Sequence, residues 1–267
     1  MKVSSSKASE ERVGPATPLE TIAAVLERSG RTEVPIRKTF VQQGVGRART
    51  PGPIASLVRN HDERATDLYL LAHAVCSAGE FDVTLAASLW CRTISLSNSQ
   101  SSRSTVSKAF RRLEDLRLLA RSRDRSRSKV TLLDESGDGA PYVHPASVKQ
   151  VYLKLPHQYW TEEWHMKLGL RAKAMLMIAL SLDDEFFLPI EKVPDWYGIS
   201  ADTANRGLLD LQNAGLLDVE KRTKKAPLAP EGIAQDFHYT LQPPFGPRRQ
   251  PIVVVTSISK SVKRRTA

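Results

Sequence analysis

The side chains best equipped for chemistry are cations and small hydroxyls crowded into one stretch. Residues 103–129 hold ten Lys or Arg against Glu114, Asp115 and Asp124. Guanidinium and ammonium groups neutralise phosphates, and Arg forks and short hydroxyls match the edges of bases. On a helix, Ser104, Thr105, Ser107, Lys108, Arg111 and Arg112 lie away from the apolar stripe Val106, Phe110 and Leu113. Ser102 and Arg103 are expected at the helix start, where free N–H groups favour phosphate, with Ser102 or Ser104 as the cap. Further on, Arg121, Arg123, Arg125 and Arg127 alternate, so an extended strand would carry them on one face, with Lys129 following.

Other chemistries find no foothold. The six histidines form no metal-ligand spacing, and Cys76 and Cys91 form no zinc or redox pair. No phosphate-binding glycine loop or nucleophile elbow is present. Asp183-Asp184-Glu185 reads as a solvated turn. No enzyme activity, cofactor, metal or small-molecule ligand is expected. The longest strongly apolar run, Ala174 to Leu180, is far short of a membrane span, and the first residues carry no apolar leader. No membrane partner and a cytoplasmic location are therefore expected.

The formal charge is +10, but it is uneven. Residues 31–60 carry +5, 103–129 carry +7 and 247–267 carry +6, so the remainder is net acidic. Three basic concentrations on an acidic background predict an electrostatic footprint for a polyanion.

These side chains need elements to hold them, and the elements repeat. Thr105 to Leu119 aligns with Thr203 to Leu217 at an offset of 98. Thr105 meets Thr203, Lys108 meets Arg206, Phe110 meets Leu208 and Leu118-Leu119 meets Leu216-Leu217. Upstream, Trp90 corresponds to Trp196, with extra Ser-rich residues in the first copy. Each copy reads as a long apolar helix (65–78 and 170–182), a short strand, a short helix with the tryptophan, a capped third helix and a basic hairpin. Ser200 caps the second third helix, over a buried stripe of Ala204, Leu208 and Leu211. Its polar face offers Thr203, Asn205 and Arg206, and its hairpin Lys221, Arg222, Lys224 and Lys225. Residues 171–240 are net acidic, so the second copy is the poorer reader, and contact with DNA or with protein stays open for it. Tyr152, Tyr159, Trp160 and Trp164 between the copies read as packing residues rather than base-stacking ones.

The remaining organisation follows. Residues 1–17 are expected to be disordered. Residues 18–60 are expected as a short helix, with Leu19, Ile22, Ala23 and Leu26 on one face, and then a Gly/Pro/Arg-rich linker. Units span 61–137 and 165–246 with a connector at 138–164. The chain ends in a basic tail, 247–267, with one strand at Ile252 to Val255.

Three helices, a Leu-Leu exit and a basic hairpin resemble the winged helix-turn-helix superfamily. The resemblance rests on TVSKAFRRLEDLRLL and GISADTANRGLLDLQNAGLLDVEKR. It implies a mainly α chain with small β-wings (α+β), built as two tandem winged-helix domains. It further implies double-stranded DNA as partner and a role as transcription regulator. The initiator of a plasmid or phage-like element and a protein-interaction scaffold are the alternatives. A homodimer stays open.

Overall fold

A computed structural model describes residues 14–76, 79–124, 127–228 and 230–246. The chain is mixed α+β with four small antiparallel sheets. No described helix is long and apolar enough to cross a membrane. Arg125, the tail 247–267 with its expected strand, and residues 1–13 lie outside the described residues.

The chain opens with α1 (Pro18–Glu27), started by Thr17 in a reciprocal cap with Glu20, so 14–17 is not the loose tail expected. Thr21, Ile22, Val25 and Leu26 are buried while Ala23 is exposed, which rotates the buried face from the one expected.

The expected linker is a folded layer. It holds β1 (Glu33–Arg37), a 3-10 turn (Lys38–Phe40), β2 (Gln42–Gln43), a second such turn (Gly46–Ala48), β3 (Thr50–Pro51) and α2 (Ile54–Arg59). Val34, Ile36, Phe40, Val41, Ile54 and Leu57 are fully buried, and that burial outweighs the linker-like composition. Gly52 supplies closeness rather than flexibility, since a Cβ there would collide with the carbonyl oxygens of Thr39 and Phe40. Arg37 is no free cation. It is buried against Glu135, with Gln150 and the Val143 carbonyl as further partners.

The first copy comprises α3 (Glu63–Val75), β4 (Asp82–Leu85), α4 (Ala87–Thr93), α5 (Gln100–Asp115), β5 (Leu119–Asp124) and β6 (Arg127–Leu132). The expected connector carries β7 (Tyr152–Pro156), α6 (Gln158–Thr161) and α7 (Trp164–Lys167). The second copy comprises α8 (Leu170–Leu180), β8 (Glu185–Phe187), α9 (Val193–Tyr197), α10 (Ala201–Asn213), β9 (Leu217–Lys225) and β10 (Ile233–Leu241). The sheets of the two copies have the same order, β4-β6-β5 and β8-β10-β9.

The connector is structural as well. β7 pairs with β1, joining segments more than a hundred residues apart into one ribbon. Tyr159 and Trp160 are buried and Trp164 half-buried, packed edge-on around Tyr159 and Phe245. One continuous apolar core runs through both copies and the layer between them. Ala55 and Pro51 press on Gly198, the left-handed residue ending α9, and Arg49 covers the Trp196 ring at 4.7 Å. A buried ion cluster crosses from α8 to α3, where the Lys173 ammonium donates to Glu63 at 2.9 Å and Asp67 at 2.7 Å. Burial pushes the Asp67 carboxyl up to about 6, against the pull of Lys173.

Candidate nucleic-acid interface

The third helix of the first copy, α5, begins one turn earlier than expected. Ser99, not Ser102 or Ser104, is its cap, and its hydroxyl accepts from the Ser102 N–H. The extra Ser-rich residues thus lengthen the helix at its start. Ser102 is buried and its N–H already taken, so it offers nothing to phosphate. Arg103 is exposed and held by Asn98 at 3.0 Å. Val106, Ala109, Phe110 and Leu113 are buried, with the Phe110 ring edge-on to Trp90. That leaves Ser104, Ser107, Lys108, Arg111 and Arg112 exposed, and Thr105 half-exposed with its hydroxyl spent on the Ser101 carbonyl.

The hairpin corrects the expected arginine face. The chain turns between Asp124 and Arg127, and Arg123 pairs with Ser128 and Arg121 with Val130. Paired residues share a face, so Arg121 and Arg123 point with buried Leu119 and Val130 toward α5. Asp124, Arg127 and Lys129 belong to the opposite face. Alternation along one strand could not survive the reversal.

Two arginines of the four have distinct fates. Arg121 binds Glu114 at 2.9 Å through Nε and lies 5.6 Å from the Phe110 ring, so it buttresses the hairpin on α5. Arg123 has no ion-pair partner among the described residues. Lys129 is committed on the outer face, 2.6 Å from Asp82 and 3.3 Å from Glu80, and these carboxylates raise its pKa.

Helix and hairpin enclose a cleft of about 700 Å³, lined by Arg103, Ser107, Phe110, Arg121, Arg123 and Arg127. Lys108, Arg111, Arg123 and Arg127 are exposed without ion-pair partners among the described residues. Arg112 is 3.6 Å from Asp62, a loose pair for a side chain more than half exposed.

The second copy is built alike but closed electrostatically. Ser200 caps α10, its hydroxyl accepting from the Thr203 N–H and donating to the Thr203 hydroxyl. Arg206 pairs with Asp202 at 3.0 Å, and Arg171 of α8 with Asp210 at 2.5 Å. On the hairpin's outer face Arg222 joins Glu185 and Glu220, and Lys224 joins Asp236. The hydrogen bond from Arg222 holds both Glu185 and Glu220 below the usual carboxylate range. Asn205, Lys221 and Lys225 stay exposed and uncommitted among the described residues. Lys221 pairs in register with Phe237 and Lys225 with Ile233, so the α10-side face mixes these lysines with half-exposed apolar groups.

Aligned positions explain the contrast. Ser104, Lys108, Arg111 and Arg112 have Asp202, Arg206, Leu209 and Asp210 as counterparts. Arg64-Ala65 in α3 matches Arg171-Ala172 in α8. Arg171 faces an aspartate across its cleft, whereas Arg64 faces Arg112. Arg64 was not singled out from sequence, and its match to Arg171 was the signal that could have found it.

No protein-family model, no curated protein and no solved structure matches this chain.

Proposed function

We propose that the protein binds double-stranded DNA with two tandem winged-helix modules and that the first module reads the sequence. The carrying observation is the cluster of uncommitted cations, Lys108, Arg111, Arg123 and Arg127, on one helix and hairpin around a single cleft. In each half the order helix, strand, helix, helix, strand, strand, with the last strand central in the sheet, is compatible with that module. A capped helix with hydroxyls ahead of long cations suits the major groove, and a basic hairpin beside it suits the flanking backbone. The role that fits a site-selective duplex binder without evident catalytic groups is regulation of transcription.

The test is duplex affinity against salt concentration. Binding is expected to weaken steeply with salt, because each neutralised phosphate releases counterions. Lys108→Ala/Arg111→Ala is expected to abolish site preference, while wild-type preference in that variant would sink the reading. Selection from a random duplex pool then resolves the setting. A palindromic motif indicates a homodimer, direct repeats indicate a replication initiator, and no enrichment indicates a scaffold.

A further inference from the structure

The corner between α2 and α3 was expected to end a linker, and it stands instead between the two third helices. Asp62 N–H donates to the Leu57 carbonyl at 2.9 Å and His61 takes a left-handed φ of 54°, which makes the turn tight. Buried Ile54 and Leu57 anchor α2, and Lys173 ties the first turns of α3 to α8. The corner is therefore held against both halves.

His61 lines two clefts at once. One, of about 380 Å³, opens between the start of α3 and α5 and includes Arg64, Thr105, Lys108 and Arg112. The other, of about 650 Å³, opens between the corner, the start of α8 and α10 and includes Thr203 and Arg206. The outward faces of α5 and α10 thus flank one corner. That corner carries two exposed cations, Arg59 and Arg64, with no ion-pair partner among the described residues. In the second copy the residue matching Arg64 is consumed by Asp210. In the first, Arg112 stands at that place, and repulsion between like charges leaves both guanidinium groups turned to a polyanion.

We infer that Arg59 and Arg64 form a phosphate-contacting bridge on the α2–α3 corner, joining the faces of α5 and α10 into one continuous duplex footprint. This rests on the duplex-binding reading above. The corner positions rather than reads, because two cations on a turn meet backbone phosphate and no base edge.

The experiment measures affinity against salt for the full chain on its selected duplex, with Arg59→Ala/Arg64→Ala and Arg59→Lys/Arg64→Lys. Each phosphate contact adds about 0.9 to the slope of log affinity on log salt, so two lost contacts lower it by roughly 2. At 0.1 M salt the alanine variant is expected to bind up to about 60-fold more weakly, with its sequence preference intact. The lysine variant is expected to stay near wild type, since phosphate contact needs charge rather than a fork. Backbone footprinting is expected to show one unbroken protected stretch in wild type and a gap in the alanine variant. A wild-type slope and footprint in the alanine variant overturns the bridge while leaving the duplex-binding reading standing. Failure of the wild-type chain to bind any duplex overturns both.

Discussion

The two copies of the repeat share a backbone plan and differ in what their cations are doing. On α5 the outward positions are Ser104, Ser107, Lys108, Arg111 and Arg112, and on α10 they are Asp202, Asn205, Arg206, Leu209 and Asp210. In the first copy Lys108 and Arg111 have no partner among the described residues, whereas Arg206 and Arg171 in the second are held by Asp202 and Asp210. The hairpins differ likewise. Arg123 is uncommitted, while Arg222 and Lys224 are ion-paired on the outer face. A basic residue counts toward binding only when no acid of the same fold has claimed it, so equal numbers of cations can mean unequal function.

The sharpest way to break the comparison is to remove the same pair from each helix. Lys108→Ala/Arg111→Ala is expected to cost about 3 kcal/mol of specific duplex binding, roughly 100-fold. Asn205→Ala/Arg206→Ala is expected to change it less than about threefold, because Arg206 is spent on Asp202. Equal losses, read by fluorescence titration, would end the distinction.

Acid sensitivity also separates the copies. His73 of α3 is buried against Tyr69 and Tyr142, and its counterpart in α8 is Leu180. Burial, with Arg37 adding repulsion, pushes His73 down to about 3. The unfolded imidazole takes a proton below about 6.5 while the folded one does not, so stability is full above that pH and falls as pH drops. Between pH 6.5 and 5 the loss is expected to be about 2 kcal/mol. Denaturant melts should show His73→Leu losing this dependence, and an unchanged pH profile would refute it.

Releasing the second copy's cations is the reverse experiment. Asp202→Asn/Asp210→Asn frees Arg206 and Arg171 and removes two negative charges. Duplex affinity at low salt is expected to rise about tenfold, with a steeper salt slope and unaltered sequence preference. A flat response would mean that α10 does not approach the duplex at all.

The smallest effect concerns the two arginines on the α5 side of the first hairpin. Arg121→Ala is expected to lower stability by about 1 kcal/mol, through loss of Glu114 and the Phe110 ring, with little change in binding. Arg123→Ala should do the opposite. Parallel melts and titrations distinguish them.

Much of this was legible before any coordinates. The offset of 98 located both third helices, and the stripes Val106/Phe110/Leu113 and Ala204/Leu208/Leu211 are buried as their spacing required. Ser200 caps as its hydroxyl and position suggested. The linker reading failed because Gly and Pro signal flexibility by composition, while Gly52 and Pro51 are there for close packing. The shared arginine face failed because alternation assumes an unbroken strand, and the turn falls between Asp124 and Arg127.

By itself the sequence determined the repeat, the helix faces and the uneven charge. These depend on neighbours three or four residues apart, which periodicity records. Only the tertiary structure decided which cations remain free. Arg37 meets Glu135, Arg171 meets Asp210 and Lys173 meets Asp67 across 98, 39 and 106 residues. Such pairings depend on strand register and on which helix faces meet, and no local pattern encodes them.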